Sequence, residues 1–327
     1  MVMDPELYRL NRIDDAFHGR PSPDAFEWWY FDAFFDNGYR MAHSWHIGEI
    51  GTETPESVAG HVALQIYHPD GKKTETAADF PASAVSVSTE TCDVKMGDNH
   101  LHGEFPRYEI HFRSGDIGAE LLFESLTQGF RNPPDGAAHL SEDPPRYLGW
   151  VCAQPRARVT GKLILAGKEI PVNGEGYHDK NWGNVHLQDL LEHWYWARLF
   201  LPNHTLVYGF VQAAASIGSA RGGMVIAIKG EKLLEVVQDI DDESSDFKVD
   251  EVSGAKYPQK WVLKINGTRI KGELIHRPKK IMEGVPLPWA AKGRAYFRFL
   301  SDCDVNLEVD GEKVETKTQI IQELMLA

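Results

Sequence analysis

Turn signals punctuate this chain roughly every 8–12 residues, and the stretches between them have the length of strands rather than helices. Asp36-Asn37-Gly38, Pro69-Asp70-Gly71, Ser114-Gly115-Asp116, Ile265-Asn266-Gly267-Thr268 and Val309-Asp310-Gly311-Glu312 all combine residues that accept turn geometry. Strands are predicted at 27–35, 39–50, 62–68, 85–88, 99–104, 108–113, 120–125, 150–154 and 158–165. More are predicted at 205–213, 223–228, 259–263 and 294–300, with polar loops at 51–58, 129–145 and 238–246. Helical spacing is confined to one turn at 188–192 and to the tail 317–326, where Ile320, Ile321, Leu324 and Met325 recur. Short strands with frequent turns predict an all-β fold, an antiparallel barrel or sandwich.

The second half of the chain repeats the opening of the first. Glu27-Trp28-Trp29-Tyr30-Phe31 aligns with Glu192-His193-Trp194-Tyr195-Trp196 at an offset of 165, and one residue of slippage follows downstream, Asn37 against Asn203. A chain of 327 residues has room for two domains. The repeat predicts two copies of one β module, 1–185 and 186–327, with Trp29 and Trp194 at equivalent places.

Composition removes several function classes. Net charge is 34 − 48 = −14, which disfavours nucleic acid and anionic lipid as partners. Cys92, Cys152 and Cys303 are far apart and odd in number, so no disulfide framework is expected and a reducing, cytoplasmic setting fits. Residues 1–15 carry acids and no apolar core, and no run of about 18 apolar residues occurs, so neither a leader nor a transmembrane segment is expected. Nine Trp, eleven Tyr and fifteen Phe suit β cores or the lining of an apolar ligand cavity.

The densest chemistry is Gly176-Tyr177-His178-Asp179-Lys180-Asn181-Trp182-Gly183. If this is a strand end, Tyr177 and Asp179 share one face while His178 and Lys180 take the other. Asp179 is then expected to point into an aromatic cavity. Glu27, Asp32 and Glu192 also sit among aromatics. A carboxyl in an apolar pocket holds its proton to higher pH and can donate it, and indole or phenol faces can stabilise the resulting cation. The plainer alternatives are that Asp179 caps the turn and that Glu27 and Glu192 begin strands with their side chains in water. Nucleotide-binding glycine motifs and GxSxG are absent, and Ser253-Gly254-Ala255-Lys256 lies in a polar stretch without supporting motifs. Of the fourteen histidines, His43 with His46 and His100 with His102 lie close in sequence, but HExxH is missing and no metal or other cofactor is expected.

Glu27-Trp28-Trp29-Tyr30, the 176–183 stretch and Trp194-Tyr195-Trp196 together resemble the hydroxyneurosporene synthase (carotenoid 1,2-hydratase) family, itself similar to lipocalin-like fungal Diels–Alderases. The resemblance implies two lipocalin-like antiparallel β-barrel domains in tandem and an apolar substrate, isoprenoid or polyketide, handled without a cofactor. By the same analogy Asp179, His178 and Glu27 form the catalytic set. Trp28 and Trp182 are placed at the site by that analogy, and Tyr30, Tyr177, Trp194 and Trp196 are expected to contact the substrate with them. The expected activity is a hydratase or cyclase that protonates a C=C bond. A pericyclase acting on a polyene and a carrier of an apolar ligand without turnover are the alternatives.

Overall fold

The computed structural model describes residues 5–48, 59–287 and 293–326; the predicted loop at 51–58 and the opening residues 1–4 lie outside them. The chain divides into two compact units, Glu6–Leu187 and Gln188–Ala327. Both are built almost wholly from antiparallel strands, as the turn spacing predicts. No helix of the described residues is long and apolar enough to cross a membrane.

In the first unit the strands are β1 (Phe26–Phe35), β2 (Arg40–Gly48), β3 (Gly60–Tyr67), β4 (Lys73–Phe80), β5 (Val85–Val87), β6 (Cys92–Met96) and β7 (Asn99–Glu104). They continue with β8 (Arg107–Ser114), β9 (Ile117–Ser125), β10 (Phe130–Arg131), β11 (Ala137–Glu142), β12 (Pro145–Leu165) and β13 (Lys168–Gly183). Their order is β4-β3-β2-β1-β13-β12-β9-β8-β7-β6-β5, a nearly closed lipocalin-like barrel with β10 and β11 added along β12. Alternation along β1 sends Trp29, Phe31, Ala33 and Phe35 into the core, where they meet Trp45, Phe112 and Phe123. Each buried Phe among them contributes about 1.5–3 kcal/mol over its exposed state. Side chains thus fill the inside of this barrel. Gly176 marks how tightly: a Cβ there would stand 2.8 Å from the Phe123 ring and 2.4 Å from the Asp32 carbonyl oxygen.

A single turn, α1 (Leu187–Leu190), precedes the second unit. Its strands are β14 (Leu191–Phe200), β15 (His204–Ala213), β16 (Arg221–Lys229), β17 (Lys232–Val237), β18 (Ile240–Ser245) and the short pair β19 (Lys248–Val249) and β20 (Lys256–Tyr257). Then come β21 (Lys260–Asn266), β22 (Ile270–Pro286), β23 (Ala295–Val309) and β24 (Glu312–Leu326). The main sheet runs β17-β16-β15-β14-β24-β23-β22-β21-β18 over a core that includes Tyr195, Tyr208, Trp261 and Phe297.

Several sequence expectations change. The tail is a strand, not a helix: β24 pairs with β23 along its whole length. Residues 320–322, 324 and 325 are buried on both faces, so their apolar run mimics helical spacing. The acidic stretch 238–246 contains β18, an edge strand whose charges suit an unpaired border. The loop expected at 129–145 contributes β10 and β11. The internal repeat is one residue out of phase. Trp29 lies in the core of its unit, but the second core takes Tyr195, Ala197 and Leu199 rather than Trp194. A shift of one residue moves every side chain to the opposite face of a strand.

Candidate active site

Strand β13 lies between β1 and β12 and carries a different chemistry on each face. Pairing sets Tyr30 opposite Asp179, Asp32 opposite Tyr177, Trp28 opposite Asn181, and Trp150 of β12 also opposite Asn181. Directly paired residues share a face, so these seven side chains stand together, turned away from the barrel core. The same rule puts His178, Lys180 and Trp182 on the core side, opposite Phe31, Trp29 and Glu27.

On the first face Asp179 is the focus. It is 6 % exposed, and its Oδ2 accepts hydrogen bonds from the Tyr177 hydroxyl at 2.8 Å and the Trp150 indole N–H at 2.9 Å. Oδ1 faces the Asn181 amide nitrogen at 3.4 Å. The Tyr30 hydroxyl donates to Asp32 Oδ2 at 3.2 Å, and the Tyr30 and Tyr177 rings lie 6.3 Å apart. Burial, followed by the neighbouring Asp179 charge, pushes the Tyr177 phenol well above its ordinary range. It therefore remains an O–H donor at neutral pH. Burial likewise raises the Cys152 thiol, keeping it protonated. Two donors on one carboxylate oxygen and the Asn181 amide at the other orient the group.

The core side is a closed set of paired polar side chains. His178 is fully buried, with Nε2 3.0 Å from Asp15 Oδ2 and Nδ1 3.0 Å from the Tyr30 carbonyl oxygen. Its ring stacks on Phe31 at 3.9 Å. The Lys180 ammonium donates to Glu27 Oε1 and to the Ala16 carbonyl, and lies 2.8 Å from His18 Nδ1. Glu27 also accepts from the His18 backbone N–H, at 3.1 and 3.0 Å to its two oxygens. The segment before β1 reaches this core: Trp29 Nε1 donates to the Asp15 carbonyl at 3.0 Å, and Phe17 N–H to Ser88 at 2.9 Å. Trp182 is held between this segment and β12, stacked on His18 at 3.9 Å in the room left by Gly149.

The predicted parity of the 176–183 stretch is what the structure has, while the interior is on the other side. Asp179 turns away from the core, and it is His178 and Lys180 that enter it. The structure brings Asp179, Tyr177, Tyr30 and Trp28 to one face and sets His178, Glu27 and Trp182 on the other. In the second unit, Trp194 and Trp196 are half-buried on the face of β14 opposite Tyr195 and Ala197. Sequence reasoning missed Trp150, whose role depends on the β12–β13 pairing, and the Asp15–His18 segment, whose role depends on a contact 163 residues long.

A barrel unit with a packed inside and a carboxylate held by phenol and indole on its wall defines a lipocalin-like scaffold with a candidate proton-transfer site. The AttH-like family model matches residues 18–283, and the chain belongs to that family. It is 25% identical over 230 residues to hydroxyneurosporene dehydrogenase of Chlorobaculum tepidum, covering 60% of this chain and 59% of that one. It is 25% identical over 214 residues to quinolone epoxide rearrangement protein penF of Penicillium thymicola, covering 59% and 58%. The chain thus spans under two thirds of the length of these relatives. Among solved structures, CghA with Sch210972 is similar in fold, with a TM-score of 0.71 at 15% identity over 93% of this chain and 89% of that one.

Proposed function

We propose that this chain is an enzyme that transfers a proton to or from an apolar, unsaturated substrate of isoprenoid or polyene type, with Asp179 as the acid. The observation that carries this reading is the Asp179 carboxyl, buried and with one oxygen held by Tyr177 and Trp150. A fixed carboxyl delivers its proton along one direction, which is the positional advantage an enzyme needs for a weakly basic alkene. In the hydration sense, the Asp179 carboxyl protonates one alkene carbon. Water adds to the carbocation at the other carbon, and the proton that water loses returns to Asp179. In the cyclising sense, the cation is attacked by a second C=C bond of the same substrate, and a C–H proton is lost to the Asp179 carboxylate, which restores the acid. The faces of Tyr30, Tyr177, Trp28 and Trp150 suit the transient cation. The relatives' names support the reading in separate ways: hydroxyneurosporene dehydrogenase, although named for a redox step, points to an isoprenoid-type substrate, and penF to an epoxide rearrangement, a reaction that an acid can start.

The test is incubation in D2O with a panel of linear polyprenyl and polyene compounds, read by mass spectrometry. The expected product carries one carbon-bound deuterium per turnover. Asp179→Asn is expected to lower the rate at least about a hundredfold at an unchanged melting temperature. A fully active, stable Asp179→Asn protein would remove the acid. A modest loss would move the reading to a pericyclase, and retention of apolar ligand without any turnover would make the chain a carrier.

A further inference from the structure

A second carboxyl stands on the face of Asp179 and has no part in the step described above. Asp32 is fully buried on β1, opposite Tyr177 of β13 on one side and Ala42 of β2 on the other. Its Oδ2 accepts from the Tyr30 hydroxyl, as Asp179 Oδ2 accepts from Tyr177. Each strand thus carries a phenol and, two residues on, the carboxyl that it bonds. Because the strands are antiparallel, Tyr30 faces Asp179 and Tyr177 faces Asp32. The two carboxyls are therefore diagonal neighbours, whose positions are about 7–8 Å apart with the phenols between them.

The surroundings suit a positive guest. Trp28 stands on the same face two residues before Tyr30, its ring 6.1 Å from His46. Burial, then the His61 and His43 charges, holds the His46 imidazole well below its ordinary range, so at neutral pH it adds no positive charge. Further along, the Arg40 guanidinium lies 4.8 Å over the Phe34 ring. This wall of the barrel thus already rests one cation on an aromatic face.

We propose that Asp32 is the counter-ion of the carbocation that Asp179 creates, so that this face also takes lipophilic cations as ligands. The inference rests on the reading of Asp179 as the acid. Asp179 enters the step protonated, and offers no negative charge while positive charge begins to form on the alkene. Asp32, fixed by the Tyr30 hydroxyl, supplies that charge in advance. Once the proton has moved, Asp179 is itself a carboxylate and could take the proton straight back. A second carboxylate across the face draws the cation away and gives water, or a second C=C bond, time to react. Asp32 neither gives nor takes a proton, so the proton balance remains that of Asp179 alone.

The test is calorimetric titration of the full-length chain with decyltrimethylammonium and with decan-1-ol, both below micelle formation and at low salt. The parent is expected to bind the ammonium at least about tenfold more tightly than the alcohol. Asp32→Asn and the smaller Asp32→Ser should lose this preference, while Asp32→Glu and Asp179→Asn keep it. In the D2O assay, Asp32→Asn is expected to lower kcat at least about tenfold with KM little changed, since the cation exists only after binding. Its product should still carry one deuterium. No preference in the parent overturns the counter-ion and leaves the acid to the deuterium experiment. A preference lost in Asp179→Asn but kept in Asp32→Asn overturns both, because the charge would then reside on Asp179. Unfolding of every neutral variant at position 32 makes the carboxylate structural and likewise overturns the proposal.

Discussion

Glu27→Gln is expected to destabilise the first unit strongly, because Glu27 is the anion that keeps Lys180 inside the core. Their side chains are 2% and 0% exposed, and the ammonium's other hydrogen-bond contacts are the Ala16 carbonyl and His18. Removing one member of a buried pair leaves the other charge uncompensated, at a cost of about 3–5 kcal/mol. For a unit of this size, roughly 2–4 °C of melting temperature goes with each kcal/mol, so a fall of about 6–20 °C is expected. The assay is thermal unfolding of Glu27→Gln, Lys180→Met and the double variant. Because the two side chains touch, the double variant should be more stable than the sum of the single losses implies, by more than about 0.5 kcal/mol. Strict additivity, or a Glu27→Gln protein as stable as the parent, would refute the reasoning and return Glu27 to the list of free catalytic carboxylates.

Gly149→Ala would place a Cβ 2.0 Å from the Trp182 ring, so the indole must leave its stack on His18. A loss of about 1–3 kcal/mol is expected, with a changed near-UV spectrum; an unaltered spectrum would contradict the packing described. Burial holds two core imidazoles down, His43 at about 4 and His276 at about 3. The unfolded chain binds those protons near 6.5, so the contribution of the neutral imidazoles is complete above pH 6.5 and is lost as pH falls toward 4 and 3. Denaturant titrations across this window should show stability rising with pH, and His43→Gln should flatten part of that rise.

The fold was readable because turns and strands are local. Asp36-Asn37-Gly38 announces the β1–β2 hairpin within three residues, and the aromatic run before it can hardly be anything but a strand. Strand parity in 176–183 was readable for the same reason. Which face meets the core was not, because His178 and Lys180 enter an apolar interior only by courtesy of Asp15 and Glu27. Those partners come from segments more than 150 residues away in sequence, and no local period reports them. The same limit hid Trp150, and it misled the tail, where burial on both faces of β24 imitates a helix.

The charges inside the barrel and the carboxylate on its wall are linked by the geometry of one strand. Well-packed apolar side chains of similar volume would often hold a core as well as a buried ion pair does. Lys180 and His178 must therefore be weighed for what an apolar pair could not supply, which is register. Side chains alternate along β13, so a slip of one residue would bring Tyr177, Asp179 and Asn181 into the core and expel His178 and Lys180. With Leu or Met at 178 and 180, such a slip would strand Asp179 in the core but leave only apolar groups outside. With the charges present, it would also separate Lys180 from Glu27 and His178 from Asp15, stranding two carboxylates together. The pairs thus add a penalty to the wrong register that an apolar pair would lack. The side chain they hold in place is the one between them in sequence, Asp179, fixed opposite Tyr30 and within reach of Trp150.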